Sequence, residues 1–90
     1  MAAVQSRGAS FHYVYLLRSE PFPAQTCIGY TRNLRLRLAY HNKGQSPHTA
    51  KFRPWRIIAA LAFTDKYRAL AFERYLKSHS GHAFASKRLW

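Results

Sequence analysis

The chain has 90 residues, of which 15 are Lys or Arg and three are acidic, so its formal net charge is +12. This length accommodates one small domain, and 48% apolar residues are too many for a disordered basic tail. The single cysteine, Cys27, excludes an internal disulfide framework and a Cys-rich zinc site. The composition therefore predicts a compact basic domain whose partner is a polyanion.

The first segment, residues 1–10, is small and polar, and it is too short and too weakly apolar for a secretory signal. We interpret it as a flexible tail on a cytoplasmic protein, and a truncated organelle-targeting peptide is the alternative. No window approaches the roughly 18 consecutive apolar residues that a membrane span needs. We therefore expect no membrane partner, and we assign residues 11–90 to the folded domain.

The first predicted elements are two antiparallel strands. Residues 11–17 are aromatic and β-branched without Gly or Pro, which predicts a strand buried on both faces. The side chains of Tyr13 and Tyr15 share one face of this strand, and that of Val14 points to the other. A proline-containing loop follows, and residues 25–30 predict a second short strand.

The next predicted elements are a helix and a third strand. Thr31 or Asn33 supplies the N-cap of the helix, and Gly44 ends it. Residues 45–54 contain two prolines and several small polar residues, so we predict a loop. The apolar residues 55–63 then predict the third strand.

The last predicted elements are helical. Asp65 or Thr64 caps a second helix that runs to about Ser78, and a Ser-Gly pair at residues 80–81 breaks it. Residues 82–89 predict one or two further basic helical turns. The resulting β-β-α-β-α-α order indicates an α+β domain with a small, mainly antiparallel sheet.

The charge distribution indicates nucleic-acid binding. Lys and Arg occur in both predicted helices, in the central loop and at the C-terminus, so phosphate is attracted from several sides in a salt-dependent way. Charge alone does not choose between DNA and RNA, and a ribosome- or RNA-associated structural protein is one interpretation of it.

Glu73 is a candidate metal ligand in the middle of the second predicted helix. Mg²⁺ is often held by one or two carboxylates together with water and substrate phosphate oxygens, so a single Glu suffices. An ion pair with Lys77, four residues later, explains the same residue as part of a helix surface. A two-metal site needs several carboxylates, which the three acids of this chain do not readily supply.

Arg37 and His41 lie one predicted helical turn apart, on the face that also carries Leu34 and Leu38. A guanidinium on an apolar face needs an anionic partner, which a phosphate provides, and a neighbouring imidazole moves a proton near neutral pH. The other interpretation is that Arg37 extends past Leu34 into solvent, while His41 is a polar residue favoured at a helix C-terminus.

Tyr13 and Tyr15 face the part of the second strand that contains Cys27 and Gly29. Strand tyrosines are ordinarily core residues with a hydroxyl at the edge. A glycine in a short strand permits close approach of a backbone or a ligand, which slightly favours a site at this point.

These residues occur in the order and spacing of a known family. Tyr13-Val14-Tyr15 and Cys27-Ile28-Gly29 stand where that family has its two tripeptides. The sequence resembles the GIY-YIG nuclease family, specifically its small stand-alone bacterial members. The resemblance covers nearly the whole chain and continues through Thr31, Asn33-Leu34, Arg37-Leu38, His41-Asn42, Thr49-Ala50-Lys51, Arg53-Pro54-Trp55, Ala69, Glu73 and Lys77.

The resemblance implies a three-stranded antiparallel sheet flanked by helices, and hydrolysis of a phosphodiester with one divalent ion, Mg²⁺ or Mn²⁺. It implies that Glu73 is the metal ligand and that Arg37 stabilises charge on the phosphoryl group. It also implies that Tyr15 positions water or phosphate, and that His41 occupies a helix position that holds an active-site residue in several members. The residues that we expect to contact nucleic acid are Tyr30, Arg32, Lys51, Arg53 and Lys77.

Cys27 departs from the family pattern, because the second tripeptide normally begins with Tyr, whose hydroxyl is a leading candidate for the general base. A thiol is a weak hydrogen-bonder and a poor steric match for a phenol. Three outcomes stay open: His41 or Tyr15 takes the base role, activity is greatly reduced, or the protein only binds nucleic acid. We expect an endonuclease that acts on DNA rather than RNA, in repair or recombination. The alternative is a catalytically impaired nucleic-acid-binding module.

Overall fold

The computed structural model of the protein describes residues 10–90. The predicted tail, residues 1–10, lies outside the described residues except for Ser10. No helix of the described range is long and apolar enough to cross a membrane. The strands and helices are β1 His12–Ser19, β2 Thr26–Thr31, α1 Leu34–Asn42, α2 Pro47–Ala50, β3 Trp55–Phe63, α3 Lys66–Leu76 and α4 His79–Arg88.

The three strands form one antiparallel sheet in the order β2-β1-β3. Helices pack against this sheet, so the predicted α+β fold class is confirmed. β3 has the predicted bounds, and β2 begins and ends one residue later than predicted. β1 lies in the centre of the sheet, and β2 and β3 form its two edges.

β1 is buried on both faces because helices cover each side of the sheet. Val14 and Leu16 belong to one buried cluster with residues of α3 and α4. Tyr15 and Leu17 belong to a second buried cluster with Trp55, against which α1 packs. The alternation predicted for this strand is confirmed, and burying each such side chain contributes roughly 1.5–3 kcal/mol.

Both ends of α1 are fixed by side-chain hydrogen bonds. Asn33, one of the two predicted N-caps, accepts a hydrogen bond from the backbone N–H of Leu36 at 3.0 Å. At the other end, the side-chain amide of Asn42 donates to the carbonyl of Trp55 at 3.0 Å and accepts from its N–H at 2.6 Å. These bonds attach the end of α1 to the start of β3, which holds the helix over the Tyr15 face of the sheet.

Besides shifts of one or two residues at the ends of elements, two larger differences from the sequence prediction concern residues 45–54 and 80–81. Residues 45–54, predicted to be a loop, contain the helical turn α2, in which Pro47 occupies the first turn where its missing N–H costs nothing. The predicted break at residues 80–81 is wrong, since α4 begins at His79 after the N-cap Ser78. The hydroxyl of Ser78 accepts the N–H of Gly81 at 3.1 Å, so local capping starts a helix where the glycine predicted an end.

Gly81 permits close packing between the end of α3 and the first turn of α4. A Cβ at this position would overlap the carbonyl oxygen of Tyr75 and would lie 2.7 Å from the Cα of Leu76. Both contacts are with backbone, which cannot move aside as a flexible side chain can.

Gly81→Ala is expected to destabilise the protein by about 2 kcal/mol, because overlap with backbone exceeds the gain in helix propensity of roughly 1 kcal/mol. The matched control is Ser86→Ala at an exposed position of the same helix, which should change stability by less than about 0.5 kcal/mol. Urea unfolding followed by circular dichroism measures both variants. A Gly81→Ala protein as stable as wild type would contradict this account of the packing.

Candidate active site

A buried chain of hydrogen bonds links β1, α1 and α2. The hydroxyl of Tyr15 lies 3.2 Å from Nε2 of His41, and Nδ1 of His41 lies 2.9 Å from Oγ1 of Thr49. These three residues are 5%, 5% and 8% exposed. The carbonyl of Thr49 accepts the indole N–H of Trp55 at 2.9 Å, which fixes α2 against the sheet.

Gly29 makes room for the Tyr15 ring. The two residues are partners across β1 and β2, and a Cβ at Gly29 would overlap the phenol. The ring therefore lies directly over the β2 backbone, with its hydroxyl bonded to His41. The second tripeptide therefore needs a glycine at position 29, because a larger residue would overlap the Tyr15 ring.

Burial sets the protonation states of this hydrogen-bonded chain. It raises the pKa of Tyr15 to about 12, with smaller effects from nearby charges. Burial is also the main cause that lowers the pKa of His41, and the neighbouring charge of Arg37 lowers it further. At neutral pH the phenol is therefore protonated and the imidazole is neutral. We assign the tautomer in which Nδ1–H donates to Thr49 and Nε2 accepts from the Tyr15 hydroxyl.

Arg37 has a guanidinium available for an anion. Its Cζ lies 4.9 Å from the centre of the Tyr40 ring, over which it stacks. Within residues 10–90 the sole salt bridge joins Lys77 and Glu73, so Arg37 has no carboxylate partner there. Arg37 and Arg32 line one open groove beside α1. A phosphate in this groove would therefore meet two guanidinium groups.

Glu73 of α3 lies within electrostatic range of the Tyr15 hydroxyl. Its charge contributes to the raised pKa of Tyr15, whereas Arg37 opposes that rise. The carboxylate is 21% exposed, and its Oε2 accepts a hydrogen bond from Nζ of Lys77 at 2.9 Å. The surface ion pair considered from the sequence is therefore present, and charges from α1 and α3 act on the same phenol.

A metal ion fits Glu73 only as an open site. The described residues hold no group of three or more His, Cys, Asp or Glu side chains that could surround an ion. Mg²⁺ keeps several waters and binds substrate phosphates, so one part-exposed carboxylate meets its donor requirements. Glu73 would hold the ion, and Lys77 would then release or share Oε2.

Cys27 lies half-buried on the Tyr15 face of β2, packed against the cluster that contains Tyr15 and Leu17. Burial raises the pKa of its thiol, although the charges of Lys77 and Arg37 oppose the rise. The thiol is therefore protonated at neutral pH, and it does not act as a base in that form.

Four of the cations predicted to contact nucleic acid lie in two regions. Arg32 is beside Arg37, and Lys77 is paired with Glu73, so both adjoin the candidate active site. The other two, Lys51 and Arg53, are exposed in the segment between α2 and β3.

Tyr30 does not join the candidate active site. It packs on the opposite face of the sheet from Tyr15, against the cluster formed with α3 and α4. Its hydroxyl lies 2.7 Å from Nδ1 of His12, and the two rings stack. The structure therefore separates this tyrosine from the groups near Arg37.

Thr49 is the member of the hydrogen-bonded chain to which the sequence analysis assigned no role. It lies in the segment predicted to be a loop, and its place in the family resemblance was the sole indication of importance. Its contact with His41 depends on α2 packing beside α1, which no short sequence pattern reports.

The three-stranded antiparallel sheet with flanking helices is the fold that the resemblance to a nuclease family implied. The family described as the GIY-YIG catalytic domain matches residues 11–87 of the chain. The chain belongs to the GIY-YIG nuclease family, so the family resemblance found in the sequence is confirmed.

Curated relatives share this domain. The chain is 42% identical over 71 residues to the structure-specific endonuclease subunit SLX1 of Scheffersomyces stipitis, and 43% identical over 74 residues to that of Debaryomyces hansenii. These matches cover 71% and 74% of this chain but only 21% of each relative, so the chain spans about a fifth of their length. A UPF0213 protein of Streptococcus pneumoniae is 36% identical over 67 residues, which cover 73% of this chain and 68% of that protein.

The buried state of His41 predicts a loss of stability as the pH falls. Because the folded protein lowers the pKa of His41 below 6.5, the unfolded chain binds this proton more readily. The contribution of neutral His41 to stability is therefore fully present above the pKa of the unfolded state. It is lost as the pH falls from that value toward the lower pKa of the folded state. Urea unfolding at about pH 7.5 and about pH 5 should show a larger loss for wild type than for His41→Gln. An equal loss in both proteins would assign the effect to other groups.

Proposed function

We propose that the protein is a DNA endonuclease that hydrolyses a phosphodiester bond with water and one divalent ion, Mg²⁺ or Mn²⁺, in repair or recombination. The observation that carries this proposal is the buried chain of Tyr15, His41 and Thr49, together with a part-exposed Glu73 and an Arg37 that has no carboxylate partner within residues 10–90. Family membership and the endonucleases among the relatives support it. The net charge of +12 favours a polyanionic substrate.

The buried hydrogen-bonded chain accepts the proton of the attacking water. The water oxygen forms the new bond to phosphorus, and the bond to the leaving oxygen breaks, so that this oxygen departs with the electron pair and takes a proton from solvent. The water proton passes to the Tyr15 oxygen while the Tyr15 proton moves to Nε2 of His41. Nε2 of His41 lies 3.2 Å from the Tyr15 hydroxyl, so His41 acts through Tyr15 as a positioning residue and proton acceptor. Thr49 keeps Nε2 available by holding the other imidazole proton at Nδ1.

Arg37 and Glu73 act on the charge of the phosphate. The Arg37 guanidinium donates hydrogen bonds to phosphoryl oxygens and stabilises the negative charge that develops on them. Glu73 would hold a divalent ion, which would supply further charge neutralisation to the reacting phosphate. This arrangement needs one carboxylate, which agrees with the three acids available in the chain.

The second candidate is a nucleic-acid-binding module that has lost most of its catalysis. Cys27 favours this candidate because it replaces the usual Tyr. The raised pKa of its thiol leaves position 27 without a group that acts as a base. The two candidates differ in metal-dependent cleavage.

A nicking assay on supercoiled and branched DNA with Mg²⁺ or Mn²⁺ separates these candidates. Wild type is expected to cleave, and Glu73→Ala to lose about 100-fold or more, because one group that places charge at the transition state is removed. Glu20→Ala is the matched control, since it removes an exposed carboxylate in the loop after β1 and changes the net charge equally. Identical background cleavage by wild type and Glu73→Ala would reject the enzyme in favour of the binding module.

The proposed proton path predicts a loss of rate at one further position and little change at another. Thr49→Val should lower kcat about tenfold with KM unchanged, because valine cannot accept the Nδ1–H of His41, and Thr49→Ser should restore the rate. Cys27→Ala should keep kcat within about threefold, because a protonated thiol takes no proton from water.

Cys27→Tyr is the informative companion to these variants. The proposed path predicts an unchanged rate, since Tyr15 and His41 already accept the proton. A gain in rate would instead show that residue 27 is a damaged base position and that the proposed path is incomplete.

A further inference from the structure

A second groove lies outside the edge strand β2, where α3 ends and α4 begins. Its volume is about 400 Å³, and Ile28 and Leu76 give it an apolar lining. The polar residues that line it are Thr26, Lys77, Ser78, His79 and His82. We call it the His79–His82 groove.

The polar lining of this groove suits an anion. An ammonium, imidazole N–H groups and a hydroxyl all donate hydrogen bonds to phosphate oxygens, and the described part of the chain places no carboxylate in the lining. A metal ion is a poor occupant, because the groove offers two imidazoles without a third ligand, and residues 10–90 contain no cluster of three. The complementary ligand is therefore negatively charged.

Lys77 connects the His79–His82 groove with the candidate active site. Its Nζ lies 2.9 Å from Oε2 of Glu73, and the same side chain lines the groove. A nucleic-acid strand with one phosphate near Glu73 therefore needs to extend only past Lys77 to place a neighbouring phosphate in the groove.

We propose that the His79–His82 groove binds a backbone phosphate of the substrate strand, next to the phosphate that is cleaved. The inference rests on the proposed function, because it takes the strand from that reaction. Backbone phosphates occur in every sequence, so the groove positions the strand without reading its bases. His79 and His82 are binding residues in this role and do not touch the reacting atoms.

The test is DNA binding by the full chain without divalent metal, so that cleavage does not contribute. Fluorescence anisotropy with a labelled branched DNA gives Kd for wild type, for the double variant His79→Ala/His82→Ala, and for His82→Glu. The double variant should bind about tenfold more weakly, because two hydrogen bonds to phosphate are lost. His82→Glu should bind more weakly still, because a carboxylate in the groove repels phosphate.

Thr64→Glu is the matched control for His82→Glu. It introduces the same negative charge at an exposed position just before α3, a helix about 16 Å long whose far end borders the groove. Its Kd should stay within about twofold of wild type, because charges that distant are largely screened by salt. Circular dichroism checks folding, and His82→Glu is expected to fold since an acid in the first turn of a helix is favourable. If both groove variants bind as tightly as this control, the groove does not hold the strand.

Cleavage by the same proteins distinguishes the groove from the proposed function. With Mg²⁺, the groove variants should raise KM about tenfold and leave kcat unchanged, as expected for groups that only hold the strand. If wild type binds DNA through the groove but does not cleave it, the endonuclease fails and the groove stands. If wild type cleaves and the groove variants match it in Kd and KM, the groove fails and the endonuclease stands.

Discussion

The burial of β1 between two helical layers is the constraint on which the rest of the structure depends. A polar atom on such a strand loses water on both sides, so it must find a partner inside the core. The hydroxyl of Tyr15 meets this requirement through His41, and the second nitrogen of His41 meets it through Thr49. Hydrogen bonds that the core needs for its own stability therefore also set the tautomer of the proposed proton acceptor.

The large positive charge adds an electrostatic constraint to this packing. An imidazolium at His41 is disfavoured by burial and by repulsion from Arg37, so the ring stays neutral in a chain that already carries a net charge of +12. In the proposed mechanism, a neutral ring beside a cationic guanidinium divides two tasks that one group could not perform, since Nε2 accepts a proton while Arg37 attracts phosphate. Glu73 brings one of the three carboxylates to this positive surface, where Lys77 holds it by a hydrogen bond.

Short-range patterns in the sequence predict most of the sheet but only part of the candidate active site. The two faces of β1 and the bounds of β3 follow from apolar runs without Gly or Pro, because side-chain alternation belongs to each strand alone. The same alternation along β2 separates Tyr30 from Cys27, which is why the Tyr30 hydroxyl bonds to His12. Thr49 has a role only once α2 packs beside α1, and Gly81 is helical because it is capped and closely packed. Both depend on contacts between elements, which a linear pattern does not contain.

Cys27 explains how the site accommodates the loss of a phenol from β2. A thiol is small and makes little demand for hydrogen bonds, so it packs beside Leu17 in a half-buried position without leaving a polar group unsatisfied. In the proposed mechanism the proton acceptor that contacts Tyr15 comes from α1, whereas Gly29 of β2 leaves room for the phenol. In that mechanism, a phenol on β2 and an imidazole on α1 are alternative acceptors for the proton of the water that attacks the phosphate. His41 is held by its hydrogen bond to Thr49 and by the attachment of the end of α1 to β3. Its proposed role as the acceptor therefore does not depend on the side chain at residue 27 of β2.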